Sequence, residues 1–344
     1  MSDGISADQQ SLVDLADQVL RGRTSNEQLA AIEQTASRVD DRLWAELAEA
    51  GLVGIAVPEQ YGGAGLGLTE VCLLLEQQGR RLAPVPLWET ATAALAIARF
   101  GSEEQRDRWL PGVAAGTCRL SLALDADVGW TDGKMSGQAH LVPQGHVADG
   151  FVVVVGDGLS VVPTSSLRRD DVVTTNYALA SDVTFRNAPA ELLGESPAAQ
   201  WLIDRAHIGL ASLVLGVADA GVREAAAYLS DREQFGRAIA TFQAVTQQLG
   251  DAYCDVQAMR ATLWQAVWLL EHCADARSAV DVALWWATDG GGRVQQVVQH
   301  LHGGIGADTT YPVHRRLLWT MRASAQLGGP SRQLVSLGAA LVDH

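Results

Sequence analysis

Apolar residues recur at helical spacing near the start of the chain and again towards its end. Leu43 and Leu47 are about one turn apart, as are Val71 and Leu75, so each pair would share one face of a helix. Between these regions the pattern changes to short, valine-rich runs bounded by Gly, Pro, Asp and Asn. Residues 151–155, Phe-Val-Val-Val-Val, are an example and are typical of a β-strand. The order helices, strands, helices predicts an α+β fold.

Turn-forming residues mark where some of these elements end. The Pro-Glu-Gln-Tyr-Gly-Gly segment at 58–63 interrupts the first helical region, and Pro84 and Pro86 end another helix. We predict a helical N-terminal domain at residues 1–116, a small β domain at 117–195 and a helical C-terminal domain at 196–344.

Composition and charge narrow the class of protein. The 344 residues are 48% hydrophobic and carry a formal net charge of -15, which argues against general affinity for nucleic acid or anionic membranes. Residues 1–10 are polar and lack the basic start and apolar run of a signal peptide. No segment of the sequence stands out as long and apolar enough to span a bilayer. We therefore expect a cytoplasmic protein without nucleic-acid or membrane partners.

The four cysteines suggest neither a disulfide framework nor a zinc site. Cys72, Cys118, Cys254 and Cys273 show no paired CxxC spacing. We expect reduced thiols in the protein core and no metal site.

Four segments, which together span nearly the whole chain, resemble the acyl-CoA dehydrogenase family. They are residues 43–63, residues 101–111, the Arg-x-x-Phe-Gly…Gln element at 232–243 and the Gly-Gly-x-Gly…Tyr-Pro turn at 303–312. The resemblance implies a helical N-terminal domain, a β-barrel-like middle domain and a C-terminal four-helix bundle that oligomerises. It also implies an activity, the oxidation of an acyl-CoA thioester to the 2-enoyl thioester with hydride transfer to FAD.

Family members hold FAD across a subunit interface, and the half of the site that serves a neighbour's FAD looks largely intact here. By resemblance, this adenosine and pyrophosphate half comprises Arg232, Phe235, Gln243, His300, Gly303 and Gly304. Arginine makes charge-assisted hydrogen bonds to pyrophosphate oxygens, and glycine permits close backbone approach. His300 stands where the family often has Gln, and structural hydrogen bonding is as good an interpretation of His300 and His302 as ligand contact.

The half of the site that would hold a flavin ring in this chain lacks several of the family's residues. The family's Thr-Glu-Pro-Gly-x-Gly-Ser-Asp turn is replaced by Asp-Ala-Asp-Val-Gly at 125–129. The family's Trp-Ile-Thr, whose Trp and Thr flank the isoalloxazine, is matched by Leu141-Val142-Pro143. Leucine lacks the indole ring, and proline has no N–H to donate.

The catalytic base is also missing from both positions that the family uses. The Glu of the family's Tyr-Glu-Gly-Thr, which removes the substrate α-proton, is replaced by Gly328. The alternative position, on the first helix of the C-terminal domain, is Ala206. Asp204 lies two residues away and would point to another side of the helix. The sequence therefore offers no residue as the catalytic base.

Together these features are most similar to the short, Glu-less subunit of heterotetrameric (α2β2) actinobacterial steroid-CoA dehydrogenases. The resemblance implies a non-catalytic subunit, inactive alone, that shares FAD with a full-length catalytic partner. The partner would bind most of the substrate, a steroid side-chain CoA ester. The Arg315-Arg316 pair could touch a CoA phosphate, although a surface charge pair is the better interpretation.

Three alternatives stay open at this level. The chain could be a homomeric acyl-CoA dehydrogenase with an unrecognised base, for which Asp204 is the nearby candidate. It could be a homomeric flavoenzyme that uses the flavin for another reaction. It could also be a flavin-free scaffold or binding subunit.

Overall fold

A computed structural model describes residues 5–273 and 275–342. Its contacts divide these residues into two units, 5–74 with 84–209 and 75–83 with 210–342. The predicted order helices, strands, helices is confirmed, whereas the three domain boundaries stay a prediction.

The first helices of the chain begin at sequence-encoded caps. Ser6, Ser25 and Ser102 each accept a backbone N–H from a glutamine three residues on, and that glutamine side chain bonds back to the serine N–H. A short 3₁₀ turn at Glu59–Tyr61 follows the third helix. The helices of this region are α1 (Ala7–Arg21), α2 (Asn26–Ile32), α3 (Asp41–Glu49), α4 (Leu68–Arg81), α5 (Leu87–Phe100) and α6 (Glu103–Ala114).

Two four-stranded sheets follow, with strand orders β1-β4-β5-β8 and β2-β3-β7-β6. Their core contains Met135, Phe151, Val183 and Phe185, which are all at most 2% exposed. The strands are β1 (Leu120–Ala123), β2 (Ala126–Thr131), β3 (Lys134–Pro143), β4 (Gly150–Val155), β5 (Gly158–Pro163), β6 (Arg168–Val173), β7 (Leu179–Pro189) and β8 (Glu191–Gly194).

Helices return after the sheets, interrupted by one small hairpin. The helices are α7 (Ala198–Asp231), α8 (Gln243–His272), α9 (Arg277–Trp285), α10 (Gly291–Leu301), α11 (Val313–Gln326) and α12 (Gly329–Val342). The hairpin is formed by β9 (Glu233–Gln234) and β10 (Arg237–Ala238). A π-helical turn at Trp286–Gly290 joins α9 to α10.

Helix α7 corrects one expectation from the sequence. Its 34 residues include an 18-residue window apolar enough to cross a membrane by length and composition, so the expectation of no such segment was wrong. However, 72% of that window is buried inside the protein, as in the core helix of a soluble protein. The apolar composition of α7 is therefore explained by packing.

Glycines let the end of α4 approach α7 closely in the second unit. A Cβ at Gly79 would lie 1.9 Å from the Leu213 carbonyl oxygen, and one at Gly216 would lie 1.9 Å from that of Glu76. Real Cβ atoms do not approach a carbonyl oxygen this closely. The two backbones can therefore touch only because neither position carries a side chain.

A cluster of buried charges lies at the same helix contact. Glu76 accepts hydrogen bonds from Arg80 at 2.8 Å and from Arg260 at 2.9 Å. Asp219 pairs with Arg80 at 2.9 Å and with Arg223 at 2.9 Å. Both carboxylate side chains are at most 5% exposed. Buried carboxylates of this kind persist only when paired, and here the arginines of three helices pair them.

The sequence suggested a surface position for the Arg315-Arg316 pair, but the structure shows that both residues are buried. The two residues are 4% and 6% exposed. Arg316 donates to the Glu224 carboxylate at 2.7 Å and to the Arg80 carbonyl at 3.2 Å. The sequence could not show this role, because it depends on a carboxylate and a carbonyl that are distant in the chain.

The cysteines are free thiols, but only part of the expected burial is found. Cys72 is buried and Cys118 half-buried, whereas Cys254 and Cys273 are exposed. Burial, with a smaller effect of the Asp149 charge, raises the pKa of Cys118 to about 12. The expectation of four core thiols is therefore wrong for two of them.

Candidate cofactor-binding site

The small hairpin holds Phe235 in an unusual position. Gln234 pairs with Arg237, so Phe235 and Gly236 form a two-residue loop, and both have positive φ angles of 55° and 77°. Two such residues in succession are the signature of a type I′ hairpin turn. A bulky side chain rarely adopts this conformation, which costs about 1–2 kcal/mol. The Phe235 side chain is also 92% exposed, so its position is not explained by the core of this chain.

Gln243 lies beside this loop at the first position of α8. The preceding residue, Phe242, contacts Phe235 edge-on with ring centroids 6.1 Å apart. The Arg237 guanidinium lies over the Phe242 ring at 4.0 Å. Gln243 is exposed, and the unpaired N–H groups at the start of this 30-residue helix favour a negatively charged ligand.

Arg232 follows the last residue of α7 and is exposed. Its backbone is fixed, since its N–H donates to the Tyr228 carbonyl at 2.9 Å and its carbonyl accepts the Ile239 N–H at 2.9 Å. Its guanidinium forms no ion pair or hydrogen bond with any residue in 5–273 and 275–342. The cation is therefore held at the end of α7 with its donors unused.

The end of α10 presents His300 and two open glycines. His300 is exposed, and the 3₁₀ turn Gly303–Ala307 follows. Gly303 has a φ of 62°, which favours glycine. A Cβ at Gly303 or Gly304 would meet no atom of residues 5–273 or 275–342 within 4 Å. Packing within the chain therefore does not require glycine at 304, and both backbones are open to a ligand.

A cavity of about 490 Å³ lies between the end of α7 and the turn after α10. It includes Arg232 and His302, whereas His300 does not line it. We call it the α7–α10 cavity, and its polar and aromatic lining is Glu224, Tyr228, Asp231, Arg232, His302 and Tyr311.

Three aromatic rings form one wall of the α7–α10 cavity. Tyr228 stacks on His302 with centroids 4.7 Å apart and an interplanar angle of 19°, and Tyr311 lies 5.6 Å from His302. Burial, together with the nearby Tyr228 and Glu224, raises the pKa of Tyr311, so its hydroxyl stays protonated at neutral pH. Sequence reasoning gave Tyr228 no role, although its position four residues before Arg232 places both on one helix face.

Leu141 and Pro143, which stand where the family has its flavin-flanking residues, form hydrogen bonds within the chain. Leu141 and the residue before it form a bulge opposite Asp182, where Ala139 pairs with Val183 and Val142 with Ser181. Leu141 has a φ of 52°, and its N–H donates to Asp182 Oδ1 at 2.9 Å.

The neighbouring residues also differ from the family's flavin-ring segment. Pro143 has no N–H, and its carbonyl accepts the Ser121 hydroxyl. Only residues 124 and 125 separate β1 from β2, so there is no room for the family's longer turn.

No carboxylate side chain stands at either of the two positions that correspond to the family's base, Gly328 and Ala206. Gly328 ends α11 in a left-handed conformation, with a φ of 83°, and lines a second cavity of about 490 Å³. Ala206 is fully buried, and its carbonyl accepts the Trp88 indole N–H at 2.8 Å. The Asp204 side chain is half-buried and accepts a hydrogen bond from Gln200 at 2.7 Å.

Family models and a related protein of similar length match this chain. Models described as "Acyl-CoA dehydrogenase, N-terminal domain" and "Acyl-CoA dehydrogenase, C-terminal domain" match residues 6–117 and 197–340. Acyl-CoA dehydrogenase FadE27 of Mycobacterium tuberculosis is 33% identical over 97% of each chain.

Two solved structures are similar over nearly the whole chain. A variant of the Tcur3481–Tcur3483 steroid ACAD has a TM-score of 0.93 and 42% identity over 98% of each chain. The ChsE4–ChsE5 complex from Mycobacterium tuberculosis has a TM-score of 0.94 and 32% identity over 100% of each chain. The predicted fold is thereby confirmed, and the chain belongs to the acyl-CoA dehydrogenase family of oxidoreductases acting on CH-CH groups.

Proposed function

We propose that this chain is the non-catalytic subunit of a heteromeric acyl-CoA dehydrogenase and supplies the adenosine and pyrophosphate half of a shared FAD site. The observation that carries the proposal is the unused guanidinium of Arg232 at the end of α7. Because this arginine has no partner among the described residues, its donors are available for a pyrophosphate.

The other residues of this half fit the same ligand. Phe235 offers an exposed aromatic face, and Gln243 lies at a helix N-terminus, where negative charge is favoured. Gly303 and Gly304 present backbone without a Cβ, and the exposed His300 adds a hydrogen-bonding side chain.

The residues at the flavin-ring positions do not fit an isoalloxazine. The Leu141 N–H already donates to Asp182, and Pro143 has none. When bound, FAD accepts the hydride, and the protein supplies orientation and electrostatics. We infer that the flavin ring of the shared cofactor is held by the partner subunit.

The same partner would supply the base and most of the substrate site. Neither Gly328 nor Ala206 can remove a proton, and the carboxylate of Asp204 lies on another face of α7 from Ala206. A lone chain would therefore be inactive. Complexes among the similar structures, ChsE4–ChsE5 and Tcur3481–Tcur3483, support a partner from the same family.

The similar structures support a proposal for the substrate class. One of the similar structures is described as a steroid ACAD, and it is 42% identical to this chain. We propose that the complex oxidises the CoA thioester of a steroid side chain and acts in the cytoplasm. An α2β2 tetramer is the natural assembly for two unlike subunits with paired interfaces.

The test is the FAD content and native mass of this chain expressed alone and with a catalytic acyl-CoA dehydrogenase partner. We expect one FAD per pair of unlike chains and a colourless lone chain. Arg232→Ala should lower FAD retention in the complex, and Arg186→Ala, at an exposed arginine of β7, is the matched control. A yellow, flavin-saturated homo-oligomer would refute the shared site, and unchanged FAD in the Arg232 variant would favour a flavin-free scaffold role.

A further inference from the structure

The cavity that Gly328 lines contains a buried hydroxyl without a hydrogen-bond partner. We call it the α10–α11 cavity, because most of its lining residues lie on those two helices. Thr320 lines it and is 2% exposed, and its Oγ1 has no partner among the described residues. Thr288 also lines it, but the Thr288 hydroxyl donates to the carbonyl of Leu284, four residues earlier, at 2.9 Å. Thr320 makes no such bond to its own helix, so its hydroxyl is available to a ligand.

Gly292 leaves space in this cavity that the packing of the described residues does not require. Three glycines follow one another where the π-helical turn meets α10. A Cβ at Gly290 would lie 2.8 Å from Trp286 Cε3, and one at Gly291 would lie 2.9 Å from Val214 Cγ1, so packing disfavours side chains there. A Cβ at Gly292 would meet no described atom outside its own helix within 4 Å. Because glycine weakens a helix, its presence at an open position suits a site that another molecule fills.

The other lining residues define the chemistry of that molecule. Leu317 and Met321 are apolar, whereas Ser324 and Gln296 add a hydroxyl and an amide that have no partner in the described chain. None of the described lining residues is charged. A charged ligand would therefore lose hydration without gaining a counter-charge, and a pure hydrocarbon would leave the Thr320 hydroxyl unpaired. The cavity fits a neutral, largely apolar molecule with a few hydroxyl or keto groups.

We propose that the α10–α11 cavity binds a neutral alicyclic alcohol or ketone. Leu317 and Met321 contact the ring carbons, and Thr320, Ser324 and Gln296 form hydrogen bonds with the oxygen atoms. A rigid ring system loses little conformational freedom on binding, and about 490 Å³ is within the range of small-molecule sites.

This chemistry has two possible sources. One is a free alcohol or ketone, which does not depend on the proposed function. The other is the ring system of the steroid thioester, which rests on the proposed function.

The test is calorimetric titration of androst-4-ene-3,17-dione into the full chain, alone and in its complex with a catalytic partner. We expect both forms to bind this neutral diketone. Androst-4-en-3-one-17β-carboxylic acid should bind at least about tenfold more weakly, because its charge meets no counter-charge in the cavity. Binding to the lone chain but not to the complex would overturn the proposal, since the partner would then cover the cavity.

Gly292→Leu should fill the cavity and weaken binding of the diketone by at least about tenfold. Leucine favours a helix over glycine and meets no described atom there, so the urea midpoint should not fall. Gly338→Leu, at an open helical position of α12, is the matched control and should leave the affinity unchanged.

Thr320→Val removes the unpaired hydroxyl and keeps the shape of the side chain. It should weaken binding by about threefold to tenfold, the value of one neutral hydrogen bond, without lowering the urea midpoint. Ser212→Ala, which removes another buried hydroxyl without a partner in the described residues, lies outside the cavity lining and should not change the affinity. Unchanged affinity in both the Gly292 and the Thr320 variants would overturn the proposal.

Steady-state kinetics of the complex separates the two sources. If the diketone raises the KM of a steroid-CoA thioester, the cavity takes the ring system of the substrate; if it binds without changing that KM, the ligand is a free molecule. One FAD per pair of unlike chains with no effect of the cavity variants means that the cavity proposal fails and the proposed function stands. A yellow homo-oligomer whose diketone binding is lost in Gly292→Leu means the reverse.

Discussion

A side chain at Gly328 and the side chain of Arg332 would compete for the same space. A Cβ on Gly328 would lie 2.5 Å from Arg332 Cδ, and the glycine has a φ of 83°. A side chain at Gly328 is therefore strained by the backbone conformation and would also require the Arg332 side chain to move.

We expect Gly328→Glu to leave the lone chain inactive and to lower its free energy of unfolding by about 1–3 kcal/mol. The left-handed conformation accounts for about 1–2 kcal/mol, and displacement of Arg332 adds to it. Urea unfolding and an acyl-CoA oxidation assay measure the two effects. Gly338→Glu, at an open helical position in α12, is the control and should not destabilise. Turnover by the Gly328 variant without a partner would contradict the half-site assignment.

We expect Phe235→Gly to improve folding and impair cofactor retention. Glycine adopts the φ of 55° without strain, so the free energy of unfolding should rise by up to about 1 kcal/mol. The exposed ring is lost, so FAD retention by the complex should fall. Asp132→Gly, also at a positive φ in a hairpin, should leave FAD unchanged. Equal FAD retention in both variants would mean that Phe235 does not contact the cofactor.

The buried charge cluster should contribute far more to the free energy of unfolding than a surface ion pair does. Asp219→Ala removes a carboxylate that is 5% exposed and leaves Arg80, which is 26% exposed, with Glu76 as its remaining partner, so we expect a loss of about 1–3 kcal/mol in urea unfolding. Asp170→Ala, which breaks an exposed pair with Arg168, should cost less than about 1 kcal/mol. Similar losses in the two variants would argue against the burial of the cluster.

The cysteines should differ in their reaction with iodoacetamide. A pKa of about 12 leaves almost no thiolate at Cys118 between pH 7 and pH 9, and Cys72 is buried, so both should stay unmodified in the native chain. Cys254 and Cys273 are exposed and should be modified in the native chain. Peptide mass spectrometry measures the four sites, and unfolding in urea should make all four reactive. Fast native labelling of Cys118 would contradict its raised pKa.

Sequence patterns predicted the class and order of the elements, because helix and strand periods and caps such as Ser102 with Gln105 are local signals. The free state of Arg232 and the burial of Arg316 could not be predicted. Both depend on which carboxylates the fold brings near, and Glu224 is distant in sequence from Arg316. Even α7, apolar by composition, needed the structure to show that its apolar window is mostly buried.

The candidate site was predictable where a motif fixed its residues and not where rings from separate segments meet. Arg232 and Gly303 were named by their resemblance to the family's motifs, whereas the stack of Tyr228 on His302 joins α7 to the residue that follows α10. The left-handed Leu141 was also unexpected, because a bulge depends on the register of two strands and not on local preference.

The hydrogen bond from the Leu141 N–H to Asp182 affects how this chain could evolve. Under the proposed function, a flavin ring could bind to this chain only after that N–H is released and Leu141 and Pro143 are replaced, and a base at Gly328 would give no activity before then. Under that proposal, no single one of these changes returns activity, so stepwise selection would not favour them. Under the proposed function, such a chain depends on its partner permanently, and the two would be inherited and lost together.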